Sequence, residues 1–340
     1  MKKKTAIISG ITGQDGSYLA NLLIKKGIRV YGIIRRTSTD PFYRLKYFNI
    51  EKKIELINVD MSEHQRINNC INKIKPNFFF NLAAQSFVAY SYYNPIYTDT
   101  INNLSVLNIL EAIKNSSNKT KFYQASSSEM YGGLNYYNKK LNEDSKFNPI
   151  SPYAISKLSA YHYTKMYRRS YNIFASNGIL FNHESPLRGE QFVTKKIVKG
   201  LVEILNGKKE DPIYLGNIYS KRDWGHAKDY VEVIYKIMSY KKADDFVIAS
   251  NKNYSVKEFV NLVCKNLGLK IFWRGKGINE KAIDKNGKIL IKVNKKLFRP
   301  LDVTNLIGDT IKAKKILKWT PRKNLNELIK DMILFEEKNI

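Results

Sequence analysis

Thr5-Ala6-Ile7-Ile8-Ser9-Gly10-Ile11-Thr12-Gly13-Gln14-Asp15-Gly16-Ser17-Tyr18-Leu19 is the stretch on which the fold turns. An apolar run, Thr5–Ser9, gives way to glycines spaced G-x-x-G-x-x-G and then to a helical pattern. Such a strand, turn and helix lets backbone N–H groups approach a pyrophosphate at a helix N-terminus, where the dipole favours negative charge. Glycine turns are common; this one gains its weight from sitting at the strand-to-helix junction of the opening βαβ unit. Lys2, Lys3 and Lys4 before the apolar run imitate a secretory signal. Gly10, Gly13, Gln14 and Asp15 cut that run far short of an h-region.

Outward from this stretch, β-rich runs alternate with helical ones. Thr5–Ser9, Arg29–Ile34, Ile54–Val59, Phe78–Leu82 and Lys121–Ala125 read as strands, with helices at Ser17–Lys26, Glu63–Lys73 and Thr98–Asn115. This alternation predicts an α/β fold with a doubly wound parallel sheet and right-handed crossovers. Beyond residue 183 the rhythm loosens, and Ser255–Leu267 and Lys312–Leu317 read as short helices of a later, smaller lobe. The expected division is a dinucleotide-binding domain over residues 1–182, with a segment near 225–250 returning to it, and a mostly substrate-binding α/β lobe over 183–340. A cleft is expected between them.

Composition excludes several classes. The 340 residues are 43% apolar and 12% aromatic, enough for a substantial core. No stretch approaches the roughly 20 apolar residues that cross a bilayer. Cys70 and Cys264 cannot make a disulfide framework, so a reducing cytoplasm is expected. None of the four histidines sits at a metal-ligand spacing, and no metal is expected. The net charge of +28 comes from scattered lysines, without a basic run or a zinc-finger or RNP-type pattern. It argues for a solvated surface that attracts anionic nucleotides rather than for nucleic-acid binding.

About 20 residues past the glycine turn, where an NAD enzyme offers an acid to the ribose, stand Arg35-Arg36-Thr37-Ser38. Guanidinium groups cannot accept hydrogen bonds but can clamp a 2′-phosphate, so NADP is expected over NAD. Asp60 reads equally as an adenine contact and as a helix cap. Further on, Ser151-Pro152-Tyr153-Ala154-Ile155-Ser156-Lys157 carries Y-x-x-x-K behind a good N-cap and a proline suited to the first helical position. Tyr153 and Lys157 then share one helical face, and an ammonium beside a phenol is expected to lower the tyrosine pKa toward a useful base. In a chain with 23 tyrosines this spacing alone means little; behind the glycine turn it points to hydride chemistry at a carbinol. Upstream, Gln124-Ala125-Ser126-Ser127-Ser128-Glu129 ends the fifth strand, where such sheets face their ligand. Glu129 is either a second acid/base or a solvated loop carboxylate.

Taken together, Thr12–Leu19, Asn81–Ser86, Gln124–Gly132, Ser151–Leu158, Asn177–Glu190 (NGILFNHESPLRGE), Arg222–Tyr230 (RDWGHAKDY), Asp245–Ala249 and Phe298–Pro300 resemble the extended short-chain dehydrogenase/reductase superfamily. Within it, they resemble the GDP-mannose 4,6-dehydratase family over nearly the whole chain. The resemblance implies a Rossmann-type sheet and conversion of GDP-mannose to GDP-4-keto-6-deoxy-mannose by C4 oxidation, C5/C6 elimination of water and hydride return to C6. That reaction feeds 6-deoxyhexose synthesis of the fucose or rhamnose type. It also implies Tyr153 as base at C4, Lys157 as its orienting partner and Glu129 as base at C5, with Ser127 in place of the family's threonine. Gly10, Thr12, Gly13, Gln14, Asp15, Gly16, Arg35, Arg36, Asp60, Met61, Leu82, Ala83, Ala84, Gln85, Ser86, Tyr97, Lys157, His183 and Arg188 match the cofactor side. Met61 replaces a leucine there. Ser86, Asn177, Asn182, Lys195, Gly216, Arg222 and Arg299 match the substrate side, with both arginines suited to the diphosphate. Without the resemblance, His183 reads as a structural histidine, Arg188 as a surface charge, and Asn177 and Asn182 as turn formers. Relative to the family, about two extra residues fall around Asn135–Asn138, in an expected surface loop. A homodimer or homotetramer is implied, with Arg35–Phe48 as a contact.

Two rivals remain at this stage. A GDP-sugar reductase or epimerase would keep Tyr153 and Lys157 but have no use for Glu129. An NADP-binding regulator without catalysis would ordinarily lack the tyrosine or the lysine, and both are present.

Overall fold

The computed structural model describes residues 3–116, 119–132 and 139–339. Strands β1 (Thr5–Ser9), β2 (Arg29–Ile34), β3 (Ile54–Asn58), β4 (Phe78–Asn81), β5 (Lys121–Ser127) and β6 (Ala175–Leu180) follow one another along the first half of the chain. Next come β7 (His183–Glu184), β8 (Ile213–Leu215), β9 (Lys221–Arg222), β10 (Gly225–His226) and β11 (Phe246–Ile248). The chain closes with β12 (Tyr254–Ser255), β13 (Ile271–Arg274), β14 (Lys281–Asp284) and β15 (Ile289–Val293). Among the described residues, the main sheet has seven strands in the order β11-β6-β5-β4-β1-β2-β3, every pairing parallel. The order reverses between β1 and β4, and ligand crevices of such sheets open at that point.

Side chains alternate across this sheet as strand geometry requires. Ala6, Ile8, Phe78 and Phe80 face one layer, with the helices Gln14–Lys25 and Ala227–Ser239. Ile7, Phe79 and Phe122 face the other, with the helices His64–Ile74, Ser105–Asn115 and Pro152–Ser170. The predicted helix Thr98–Asn115 is helical throughout but built in three parts: Pro95–Asp99, a π-helical turn at Thr100–Leu104, and Ser105–Asn115. The strands and helices of the sequence reading shift by only a residue or a few at their ends.

One helix lies elsewhere than expected. Ile311–Leu317, read as part of the later lobe, packs into the core of the first, where Ala313, Leu317 and Trp319 join Phe246 and Ile248 of β11. An edge strand with apolar side chains needs a cover, and this helix provides it. The later lobe has its own core, built on the four-stranded sheet β13-β14-β15-β8 and the helices Val193–Leu205, Val256–Asn266 and Leu325–Lys338. Both latter helices open on complete capping boxes, Ser255 with Glu258 and Asn324 with Glu327. The residues around Asn135–Asn138 lie outside the described ones. No helix among the described residues is long and apolar enough to cross a membrane.

The far edge of the main sheet is held by a buried ion pair. Arg168 Nη1 and Nη2 donate to the two oxygens of Asp245 at 2.8 and 2.7 Å, and Asn177 Nδ2 adds a third bond at 2.9 Å. Burial would raise the Asp245 pKa, but Arg168 and Asn177 overcome it and hold it below the usual carboxylate value. Removing one member leaves the other charge buried and unpaired. Asp245→Ala is therefore expected to lower the unfolding free energy by about 3–5 kcal/mol. Denaturant unfolding checks this, and a loss of under about 1 kcal/mol, typical of an exposed pair, would contradict it.

Candidate active site

At the C-terminal edge of the main sheet, β1 runs into the glycine turn. Gly10 has φ +70°, and a Cβ there would stand 2.8 Å from the Ala83 nitrogen. A Cβ on Gly16 would stand 2.3 Å from the Gly10 carbonyl oxygen. The turn thus closes only with hydrogens at these positions. Gly13 caps the helix Gln14–Lys25 with no side-chain acceptor, so its first N–H groups are left for an anion. This cradle fits a dinucleotide pyrophosphate. Below it, Ser9 Oγ donates to Asn81 (2.6 Å) and Asn81 Nδ2 to Gln124 (2.8 Å), a buried polar chain linking β1, β4 and β5.

The other cofactor-side candidates divide. Leu82, Ala84, Ser86, Asp15, His183 and Arg188 line the main cleft. Gln14 is a clamp: its amide donates to the His183 carbonyl (3.1 Å) and accepts from Ser185 Oγ (2.8 Å). Thr12 offers its carbonyl to Arg44 at 3.0 Å. Arg35 and Arg36 stand exposed just past β2, with Arg35 donating to the Tyr97 hydroxyl at 2.9 Å. Asp60 does not cap the helix that follows: its Oδ1 accepts from Ser62 N (2.9 Å) and closes a turn ahead of it. Met61 is buried in the core behind β3. Gln85 braces the segment through Thr98 and Phe87.

His183 sits between two acceptors, an arrangement that favours its protonated form. Nδ1 bonds to the Phe181 carbonyl at 2.8 Å and Nε2 to Asp15 at 2.7 Å, and both partners accept. Burial would lower its pKa, but Asp15 and that carbonyl raise it above the ordinary value. Asp15 is correspondingly lowered against its own burial. The pair ties the glycine turn to β7, with Tyr230 stacked on the imidazole at 4.4 Å.

Opposite the cradle, Ser151 Oγ accepts from Ala154 N at 3.1 Å and starts the helix Pro152–Ser170. Tyr153 and Lys157 share its inner face, with Lys157 Nζ 5.9 Å from the tyrosine ring centroid. Lys157 Nζ donates to the Ala125 carbonyl at 2.9 Å. The expected depression of the tyrosine pKa is not found. Burial pushes Tyr153 up to about 12, only partly offset by a hydrogen bond with Ser127. Burial likewise lowers Lys157 to about 8. Desolvation disfavours both charges, and the ammonium is spent on a carbonyl rather than on the phenol.

β5 ends at Ser127, whose hydroxyl accepts from Glu129 N at 3.2 Å and turns the chain so that Glu129 faces the cleft. Glu129 is only 8% exposed, not the solvated loop residue a bare carboxylate suggests. Arg299 Nη1 lies 3.7 Å from its Oε1. Asn182, Gly216, Arg222 and Arg299 also line the cleft. Two substrate-side candidates do not. Asn177 is buried in the Asp245 network, because strand β6 points it into the protein. Lys195 donates to the Pro186 carbonyl at 2.7 Å and pairs with Glu336, on the far face of its helix. The neighbouring Lys196 reaches the cleft instead.

The sequence reading also missed Asp302, which faces the cleft and accepts from Ser220 Oγ (2.7 Å) and Arg222 Nη2 (3.1 Å). Its place three residues after Arg299, beside a candidate diphosphate clamp, was the available signal. Phe192 was missed too; the Arg188 guanidinium lies 3.5 Å over its ring. Among the described residues, no group of three or more histidine, cysteine or acidic side chains could hold a metal ion.

Comparison with known proteins agrees with this geometry. Solved structures at low identity share the fold. A UDP-glucose 4-epimerase of Thermus thermophilus in complex with NAD superposes with TM-score 0.82 at 18% identity, over 99% of this chain and all of that one. A dTDP-glucose 4,6-dehydratase of Bacillus anthracis str. Ames in complex with NAD gives TM-score 0.81 at 18% identity, over 99% and 97%. Sequence relatives are much nearer. The GDP-mannose 4,6-dehydratase of Vibrio cholerae serotype O1 is 42% identical over 98% of this chain and 93% of its own length. The GDP-mannose 4,6 dehydratase of Homo sapiens is 42% identical over 97% and 91%. Residues 7–332 match the family described as GDP-mannose 4,6 dehydratase, and with these relatives the match places the chain in that family.

Proposed function

We infer that this chain dehydrates GDP-mannose to GDP-4-keto-6-deoxy-mannose, using NADP that is regenerated in each turnover. The observation that carries the reading is that a buried phenol and a buried carboxylate, Tyr153 and Glu129, face one cleft beside a dinucleotide cradle. An oxidoreductase needs only the first; elimination needs both.

Tyr153, as the phenolate, takes the C4 hydroxyl proton as C4 becomes a ketone; the hydrogen bond from Ser127 favours that ionised form against burial. The ketone acidifies the hydrogen at C5, so oxidation has to come first. Glu129 removes that proton and passes it to the C6 hydroxyl, which leaves as water. What a nicotinamide dinucleotide supplies when bound is reversible hydride uptake, from C4 first and back to C6 afterwards. Glu129 then takes up a solvent proton and delivers it to C5, while Tyr153 releases the one it took, so no net proton is gained or lost. Lys157, anchored on Ala125, holds the helix face and its positive charge next to the cradle. The chain's own part is positioning and proton transfer.

Arg35 and Arg36 support NADP over NAD, since both stand exposed at the end of β2, where a 2′-phosphate would lie, with no acidic partner among the described residues. Replacing both with alanine is expected to weaken NADP roughly tenfold or more, as for lost charge-assisted bonds, and to leave NAD affinity within about twofold. Equal losses for both cofactors would point to damage rather than recognition.

Incubating the protein with GDP-mannose and NADP is expected to give a product lighter by one water, without net NADPH formation. Stoichiometric NADPH formation, or consumption of added NADPH, would favour a sister dehydrogenase or reductase. Glu129→Gln should bind both ligands yet lose water roughly 10²–10⁴ times more slowly. Unchanged turnover in that variant would remove Glu129 from the chemistry.

A further inference from the structure

The two arginines beside Asp302 are held very differently. Arg222 is fixed: its guanidinium donates to the Val303 carbonyl at 2.5 Å, to the Lys221 carbonyl at 3.0 Å and to Asp302 at 3.1 Å. Ser220 Oγ occupies the second oxygen of Asp302 at 2.7 Å. Asp302 is thus satisfied without Arg299. Among the described residues, Arg299 makes two long ionic contacts, 3.7 Å to Glu129 and 3.8 Å to Asp302, and its side chain is 29% exposed. It is a loosely held cation parked between a structural carboxylate and the carboxylate of the reaction.

We propose that Arg299 is a positioning residue that engages Glu129 in the free enzyme and transfers to the diphosphate of the arriving nucleotide sugar, releasing Glu129 to act on C5. While the guanidinium stands 3.7 Å from Oε1, it occupies the side of the carboxylate that a substrate's C5 hydrogen would have to meet. A diphosphate offers the same guanidinium denser charge and bidentate geometry. Binding of the part of the substrate remote from the reacting carbons would then switch on the base, which ties elimination to a correctly seated substrate. The proposal rests on the dehydratase reading and extends it: Glu129 and the diphosphate compete for one cation.

Competition has a thermodynamic signature that needs no turnover. GDP carries the diphosphate and lacks the sugar, so its binding to the full-length protein can be followed by calorimetry. Breaking the Glu129–Arg299 contact opposes GDP binding in the wild type. Glu129→Gln is therefore expected to bind GDP roughly three- to tenfold tighter, the size of effect a partly exposed charge pair gives. In an Arg299→Met background, GDP should bind roughly tenfold or more weakly than to wild type, and adding Glu129→Gln should change affinity by less than about twofold. Thermal melting confirms that each variant is folded, and Arg299→Lys, which keeps the charge, should restore part of the Glu129 effect. If Glu129→Gln leaves GDP affinity unchanged, or tightens it equally with and without Arg299, the handover is wrong while the dehydratase reading stands. If wild type neither binds GDP nor releases water from GDP-mannose, the reading beneath the proposal fails with it.

Discussion

A single hydrogen bond, from the Lys157 ammonium to the Ala125 carbonyl at 2.9 Å, fixes where the helix Pro152–Ser170 meets the C-terminal end of β5. The rest of the site is arranged around that junction. Two residues past Ala125, the chain presents Ser127, which bonds to Tyr153 from one side and starts the turn that presents Glu129 from the other. Keeping an ammonium, a phenol and a carboxylate in one buried pocket is costly, because desolvation disfavours each charged form. The site accordingly holds Tyr153 and Lys157 shifted toward their neutral forms. Such groups are poised to change charge once reacting partners arrive, which is what proton transfer requires.

Two further ties hold the cleft walls in register. On the cradle side, Asp15 and Gln14 reach across to His183 and Ser185, so the glycine turn and β7 cannot separate without breaking buried polar contacts. On the opposite side, Asp302 fastens Arg222 and Ser220 to the segment that carries Arg299. The cleft therefore has one rigid arginine and one loose one, a division of labour between shape and response.

Much of this was legible in the sequence where local pattern and tertiary role coincide. The glycine turn, the first five strands and the capped Tyr153–Lys157 helix all read correctly because each obeys a short-range rule: glycine geometry, period-two burial, or N-capping. β6 escaped because Ala-Ser-Asn-Gly-Ile-Leu looks like a turn; its buried asparagine is tolerated inside the sheet because Ser126 and Asp245 satisfy Asn177. The strands β13 to β15 escaped because each is only four or five residues long, too short for a period-two pattern to stand out from its surroundings. Lys195 and Lys196 show the limit at the site: adjacent lysines stand about 100° apart around one helix, and only packing against Glu336 says which one turns away from the cleft. The depressed tyrosine pKa also failed as an expectation, because spacing reveals that a lysine is near but not what else it bonds to.

The most direct test of the convergence of Tyr153, Lys157 and Glu129 on one hexose is to follow a deuterium placed at C4 of GDP-mannose through a single turnover in ordinary water. If one pocket performs oxidation, elimination and return without letting the reducing equivalent escape, the label is expected at C6 of the same product molecule, with a solvent proton at C5. Loss of the label to the medium, or its retention at C4 while water is lost, would contradict that arrangement.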